Sequence, residues 1–262
     1  RYESSSGGAF SALAETVISH KGVVFGARFD ERFKIIHDYI ETIDYLPKLR
    51  GSKYTQSEIG SCMLEVRDFL QQGRLVLFSG TPCQVEGMLS FLGKPYENLF
   101  TVDLICHGVP SPMVWQKYLE YRKKKDGCMP EKITFRDKRL GWKRFSLSFK
   151  YSNDREYSNS FDKDIYLQLF LNNLCLRESC YQCEFKTINR KADITLGDFW
   201  GIEKVQPELF DDKGLSLVIV HSTKGEQLFQ LASSSLSCKK VDLARAIDYN
   251  KSLIQSSNRP RN

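Results

Sequence analysis

The stretch RLVLFSGTPCQVEGMLSFLGKPYENLFTVDLICHGVPSP, residues 74–112, decides the fold. Arg74 to Ser79 is a short apolar run, as expected of a strand covered on both faces. Gly80-Thr81-Pro82 turns the chain. Cys83 to Leu92 has helical spacing, with Pro82 near the first helical position. Leu99 to Ile105 reads as a second strand, Cys106-His107-Gly108 as a second turn, and Ser111 to Lys125 as a second helix. Strand–turn–helix twice in succession implies parallel neighbouring strands. Cys83 and Cys106 then stand at the carboxyl ends of those strands, on the sheet edge where α/β proteins place their chemistry.

On the N-terminal side, Ser4-Ser5-Ser6-Gly7-Gly8 leads into a helix from Ala9 to His20. Gly22 to Phe29 and Lys34 to Tyr39 read as paired strands. Gly51-Ser52-Lys53-Tyr54 is a loop, and Ser57 to Gln72 has the spacing of an amphipathic helix. After Gly127 the texture changes. Lys132 to Arg136, Phe145 to Tyr151 and Glu156 to Phe161 suggest an antiparallel β insertion within residues 129–162. A helix from Asp164 to Leu174 leads into Ser179-Cys180-Tyr181-Gln182-Cys183. Strands follow at Asp193 to Leu196 and Leu215 to His221, then a helix from Lys224 to Ala232. The fold class expected is α/β, a mixed sheet with a parallel core and an antiparallel elaboration, in one domain spanning 1–262.

The 262 residues suffice for a real core, and 41% hydrophobic with 27% charged residues is ordinary for a soluble globular chain. No run approaches the roughly 18 apolar residues of a membrane span, and no signal-peptide pattern opens the chain. The expected location is the cytoplasm. Arg1 runs straight into a motif and the chain stops without closure at Asn262, which reads as a fragment lacking residues at both ends. The net charge of +6 is mild. Its basic clusters, Arg122 to Lys125 and Arg136 to Arg144, read either as a solvated helix end and turn or as an anion site. No nucleic-acid-binding motif accompanies them.

Eight cysteines are too sparse for a disulfide scaffold and point to metal binding or catalysis in a cytosolic protein. Cys180 and Cys183 form a C-x-x-C, whose two sulfurs can reach one ion or cluster. Cys83 sits at a helix N-terminus, where a thiolate is favoured. Cys62, Cys128, Cys175 and Cys238 lack a metal-like neighbourhood and read as packing residues. Buried inert thiols, a zinc site and an iron–sulfur cluster all remain open for the other four. A cubane takes ligands from scattered loops more readily than zinc does, because its irons span a larger volume.

Other features carry two readings each. The serine–glycine turn at 4–8 is either a helix cap or a phosphate cradle. Gly51 to Tyr54 is either an exposed loop or a nucleotide contact. His107 beside Cys106 invites a Cys–His hydrolase, but adjacent residues on a strand end point apart. Gly197-Asp198-Phe199-Trp200-Gly201 is either a packed corner or a wall beside a flat cofactor ring.

Taken in order, SSSGGAFSAL, GSKY, FSGTPCQ, DLICHGVPSP, FRDKxxGW, SCYxCxFK and ADITLGDFWG resemble the coenzyme F420 hydrogenase/dehydrogenase beta-subunit family, of FrhB/FdhB type. The resemblance runs from Ser4 to about Asn250, and its form looks more like the bacterial branch. It implies an iron–sulfur flavoprotein oxidoreductase carrying a [4Fe-4S] cluster and FAD, with coenzyme F420 or another acceptor as substrate. By motif, Cys83, Cys106, Cys180 and Cys183 would be the cluster ligands. Ser5, Ser6, Gly7 and Gly8 would face the FAD phosphates, and Ser52, Lys53, Tyr54 and Thr81 would be further flavin contacts. His107 is the candidate for proton delivery. The resemblance also implies a ferredoxin-type electron partner, or an N-terminal ferredoxin-like segment outside this sequence, with a homo-oligomer as a further expectation. The rival is a zinc-binding or cofactor-free assembly partner of polysaccharide-synthesis enzymes.

Overall fold

The computed structural model describes residues 1–152 and 154–260. The N-terminal part comprises α1 (Ala9–Ser19), β1 (Val23–Phe29), β2 (Ile35–Ile40), α2 (Leu46–Leu49) and α3 (Cys62–Gln71). Next come β3 (Val76–Ser79), α4 (Pro82–Leu92), β4 (Leu99–Leu104) and α5 (Pro112–Asp126). Then follow β5 (Lys132–Asp137), β6 (Ser146–Lys150), β7 (Glu156–Ser160), α6 (Ile165–Leu171) and α7 (Glu178–Tyr181). The C-terminal part holds β8 (Ile194–Asp198), α8 (Ile202–Val205), β9 (Ser216–Val220), α9 (Thr223–Ala232) and α10 (Leu243–Tyr249).

Six strands form one mixed sheet in the order β2-β1-β3-β4-β8-β9, and β5-β6-β7 form a second, antiparallel sheet. β1, β3, β4 and β8 run parallel, and β2 and β9 close the edges antiparallel. The chain therefore is α/β with a parallel core, as its strand–turn–helix pattern implies. The small sheet lies in the long crossover from β4 to β8.

Burial on both faces explains the apolar strands. Val24, Leu77 and Val102 point into a core shared with Leu13 and Val17 of α1 and Leu228 of α9. Their neighbours Val23, Phe25, Val76 and Phe78 point the other way, onto Val66 of α3 and Met88 of α4. Side chains alternate along each strand, so both layers are filled by consecutive residues. The antiparallel sheet has its own aromatic core around Trp115, Phe135, Phe149 and Tyr166. Asp164 caps α6 through the Leu167 N–H and accepts hydrogen bonds from Tyr118 (2.5 Å) and Tyr157 (2.8 Å), tying α5, β7 and α6 together.

The structure corrects several sequence expectations. The helix expected from Ser57 begins only at Cys62, because Glu58 pairs with β2 and Gly60 takes a left-handed φ of 53°. The helix expected to Leu174 stops at Leu171, and Asn173 is left-handed. Cys238 is exposed and does not pack, whereas Cys62 is buried. Four residues of the basic clusters are ion-paired. Arg122 is buried against Asp126 and the Tyr157 ring. Arg136 bonds Asp198, Arg139 bonds Asp137 and Glu156, and Lys143 bonds Glu203. Among the described residues no helix is long and apolar enough to cross a membrane.

Trp115 is 1% exposed and contacts the Phe29, Phe135, Phe149 and Tyr166 rings. Trp115→Ala is expected to destabilise the protein by about 3–5 kcal/mol in urea unfolding. Met113→Ala, close by in the same helix but on the solvent side, is expected to change stability by less than about 0.5 kcal/mol.

Candidate functional site

The site begins with a helix start. Thr81 and Gln84 form a reciprocal capping box, and Pro82 occupies the first turn of α4. This fixes Cys83 in that turn, directly after β3. Cys106 follows β4, the parallel neighbour of β3. The C-x-x-C arrives from the far side of the insertion. Leu176 bridges Pro110, and the Arg177 N–H donates to the Val109 carbonyl at 3.0 Å. Cys180 then lies on α7 and Cys183 just beyond it.

Cys83, Cys106, Cys180 and Cys183 all line one pocket, with Phe185 and Lys186 on its wall and a volume of about 40 Å³. Three separate segments thus deliver four thiols to one pocket. All four are free. Among the described residues, no group of three or more His, Cys, Asp or Glu side chains is disposed to hold a single metal ion. The shared pocket and this negative result concern different geometries. One zinc ion draws every sulfur to about 2.3 Å from a common centre, whereas a cubane spreads its four ligands over four irons.

The pocket disfavours free thiolates. Burial pushes the Cys106 thiol up to about 12, against the pull of the Lys186 ammonium, and Cys83 and Cys180 add like-charge repulsion. Burial also raises the Cys180 thiol. Without a metal these two thiols hold their protons, and a metal must displace them. Lys186 is the compensating charge. Its Nζ donates to the Cys106 carbonyl and, at 2.8 Å, to the Ser252 carbonyl. Burial lowers its pKa while Cys106, Cys183 and Cys180 favour its charged form. The sequence places Phe185-Lys186 within a motif but assigns Lys186 no role. Its signal was a lone lysine three residues past the C-x-x-C.

The C-terminal segment carries no sequence expectation at all. Ser256 Oγ accepts from the Cys183 N–H at 3.0 Å, and Ser257 Oγ donates to the His107 carbonyl. Arg190 donates to the Leu253 carbonyl at 3.2 Å and pairs with Asp103 at 3.3 Å. Asp103 and Arg190 side chains are each 2% exposed. Residues 252–257 thereby strap the Cys106 turn to the C-x-x-C loop. Nothing in Ser252 to Ser257 has a periodicity or motif that would flag it.

The two loops read as flavin contacts meet each other. Ser5 Oγ accepts from the Ser52 N–H at 2.6 Å. Ser6 Oγ donates to the Leu215 carbonyl, and the Gly7 N–H donates to Ser216 Oγ. A Cβ on Gly7 would stand 2.7 Å from the Ser216 nitrogen, so this close approach to β9 requires glycine. Gly8 is the left-handed N-cap of α1, with no side-chain cap and no acidic residue in the first turn. That start of a helix leaves N–H groups open to an anion. Lys53 Nζ donates to the carbonyls of Leu49, Arg50 and Gly51, closing the end of α2. Burial pulls its pKa down to about 7. Three backbone acceptors already occupy its three donors.

Tyr54 joins the two regions. Its ring stacks on Phe170 at 4.6 Å, and Phe170 meets the His107 ring edge-on at 4.9 Å. Thr55 Oγ1 donates to the Pro110 carbonyl at 3.1 Å, so this loop lies against the Cys106 turn. His107 carries no hydrogen bond to Cys106; its buried Nε2 has no hydrogen-bond partner, nor has the Asn173 Oδ1. Burial lowers the imidazole's pKa, which favours the neutral ring. Asp198 accepts from Arg136 at 3.0 Å and from the Trp142 indole at 3.1 Å, and Trp142 and Trp200 stack at 4.8 Å. Gly197–Gly201 is thus a packed corner, with half-buried Trp200 on its outer side.

A doubly covered mixed sheet with four cysteines gathered at the carboxyl edge of its strands defines an α/β protein with a thiol-lined site. The model of the family described as the C terminus of the coenzyme F420 hydrogenase/dehydrogenase beta subunit matches residues 73–244. That is more than half of the chain, and the protein belongs to that family. The fold is similar to that of a chain in the xenon-derivatised F420-reducing [NiFe] hydrogenase complex from Methanosarcina barkeri. The TM-score is 0.59 at 17% identity, over 95% of this chain and 84% of the other. No curated protein matches the chain in sequence.

Asp103 gives the site a pH signature. Burial pushes its carboxyl up to about 6, against Thr195 and Arg190, which hold it down. The native state therefore keeps the proton to higher pH than the unfolded chain does. This contribution is complete below about pH 4 and is lost as pH rises through about 6, on the order of 3 kcal/mol. Urea unfolding of wild type is expected to show that decline relative to Asp103→Asn across the same window. Parallel profiles would count against it.

Proposed function

We propose that this chain is the catalytic domain of an iron–sulfur flavoprotein oxidoreductase. A [4Fe-4S] cluster held by Cys83, Cys106, Cys180 and Cys183 works with FAD, and the substrate is a hydride acceptor or donor such as coenzyme F420. The observation that carries this reading is the delivery of four cysteines from three segments to one pocket beside Lys186. Bound there, the two cofactors supply one-electron and hydride transfer.

The chain's own residues do the rest. Lys186 offsets the negative charge of four thiolates, and Phe185 keeps part of the pocket wall apolar. Ser5 to Gly8, with the uncapped start of α1, offers N–H groups to the FAD phosphates. Ser52 and Tyr54 set the loop that runs from there to the Cys106 turn. Lys53 shapes that loop by holding three carbonyls, and its role toward FAD is positional. His107, on the wall of the thiol pocket, is the candidate for proton delivery, its neutral ring able to accept a proton. The electron partner is a ferredoxin-type protein, domain or subunit.

Anaerobic reconstitution with iron, sulfide and FAD tests the reading. The expected product holds four irons and one flavin per chain, with a broad visible absorbance bleached by dithionite. Cys83→Ser is expected to lose or damage that cluster. Stoichiometric zinc uptake with no such absorbance would instead favour the zinc-binding assembly partner and sink this proposal.

A further inference from the structure

Behind Cys83 runs a chain of hydrogen bonds, buried at His37 and Ser57, whose direction is fixed at every link but the last. His37 is 7% exposed and Ser57 6%. The His37 Nε2 lies 2.9 Å from the Ser79 carbonyl, which can only accept, so Nε2 carries the hydrogen. Burial lowers the pKa of this imidazole, with Lys53 adding to the effect. The neutral ring then presents a bare Nδ1, and Ser57 Oγ at 2.7 Å must donate to it. Ser57 in turn accepts from Gln84 Nε2 at 2.8 Å. That orients the Gln84 amide, so its Oε1 faces Thr81 and accepts from the Thr81 N–H at 3.0 Å and from Thr81 Oγ1 at 3.1 Å. The last link is Thr81 Oγ1 to Cys83 Sγ, 3.1 Å apart.

We propose that Thr81 is a positioning residue for Cys83, donating its hydroxyl hydrogen to the Cys83 sulfur when that sulfur is a cluster ligand, with His37, Ser57 and Gln84 holding it there. This rests on the cluster reading above. In the free thiol, the S–H donates to Thr81 Oγ1 and the hydroxyl donates to Gln84 Oε1. A metal-bound sulfur has no hydrogen and carries negative charge. A charged acceptor outcompetes a neutral amide oxygen, so the hydroxyl turns to sulfur. Gln84 Oε1 keeps the Thr81 N–H, and no buried group is orphaned by the exchange. In this role Thr81 serves the cluster, not the flavin.

Such a bond withdraws electron density from the ligand sulfur and stabilises the reduced cluster, which raises its potential. The test is a redox titration of reconstituted protein followed by visible absorbance and electron paramagnetic resonance. Thr81→Val keeps the shape and removes the donor. At the wild-type midpoint its ratio of reduced to oxidised cluster is expected to fall by roughly threefold, the size of one modest hydrogen bond. Thr81→Ser restores the wild-type value. Ser57→Ala leaves Thr81 in place, breaks the chain behind it, and moves the potential the same way by less. A fully loaded Thr81→Val cluster at the wild-type potential overturns the inference. If Thr81→Val holds no cluster, an unchanged potential in Ser57→Ala does so. A wild-type chain that takes up no cluster overturns both this inference and the function on which it rests.

Discussion

The parallel pairing of β3 with β4 is the constraint on which the site depends. Val76 to Ser79 lie in register with Leu99 to Val102, and each strand then turns out at the same sheet edge. A one-residue slip would send Leu77 and Val102 to the wrong layer and separate the two turns. The same register is held from below by polar groups. Asp193 accepts from the Thr101 N–H and hydroxyl, both at 2.8 Å, and from Ser222 at 2.5 Å. Thr195 ties β8 to Asp103 of β4. Cys83 and Cys106 inherit their separation from this ladder and from two short turns.

The remaining two thiols have no such scaffold of their own. α7 is a single turn, and the C-x-x-C loop is placed by what surrounds it. The Pro110–Leu176 bridge holds one side, and Ser256, Lys186 and Arg190 hold the other. The buried Asp103–Arg190 pair is a costly device, since both ions leave water. Its hydrogen bonds go to Thr195, Thr187 and Leu253, which links β4, the loop after Cys183 and the C-terminal strap. Breaking that pair would therefore loosen three parts of the site together.

How much of this was legible in the sequence follows from the range of each interaction. The parallel core was legible because apolar runs and Gly/Pro turns are local signals, and both cysteine turns lie within them. The antiparallel sheet was legible for the same reason. Helix ends were not: Glu58 is withdrawn from α3 by pairing with β2, a contact made across the fold. The four thiols could be named by motif, but their meeting point depends on a bridge between residues 110 and 176. Lys186 and the strap escaped because a lysine that donates to two carbonyls, and serines that bond backbone groups, look like any exposed polar residues. The basic run from Arg136 to Arg144 is read differently in the fold, since Asp198, Glu156 and Glu203, which pair with Arg136, Arg139 and Lys143, all lie outside it.

The same distinction separates the two halves of the candidate centre. On the thiol side, four cysteines share one pocket with a single cation, Lys186, on its wall. On the flavin side, Ser5, Ser6, Gly7 and Lys53 are already bonded to Ser52, Leu215, Ser216 and three carbonyls. Their side chains build the loops. What they leave available to a phosphate is backbone, at the uncapped start of α1. Under the proposed flavin reading, recognition through N–H groups would tolerate substitution of side chains but not of Gly7, where a Cβ would collide with β9. The glycine, more than the serines that precede it, is the residue on which that half of the centre turns.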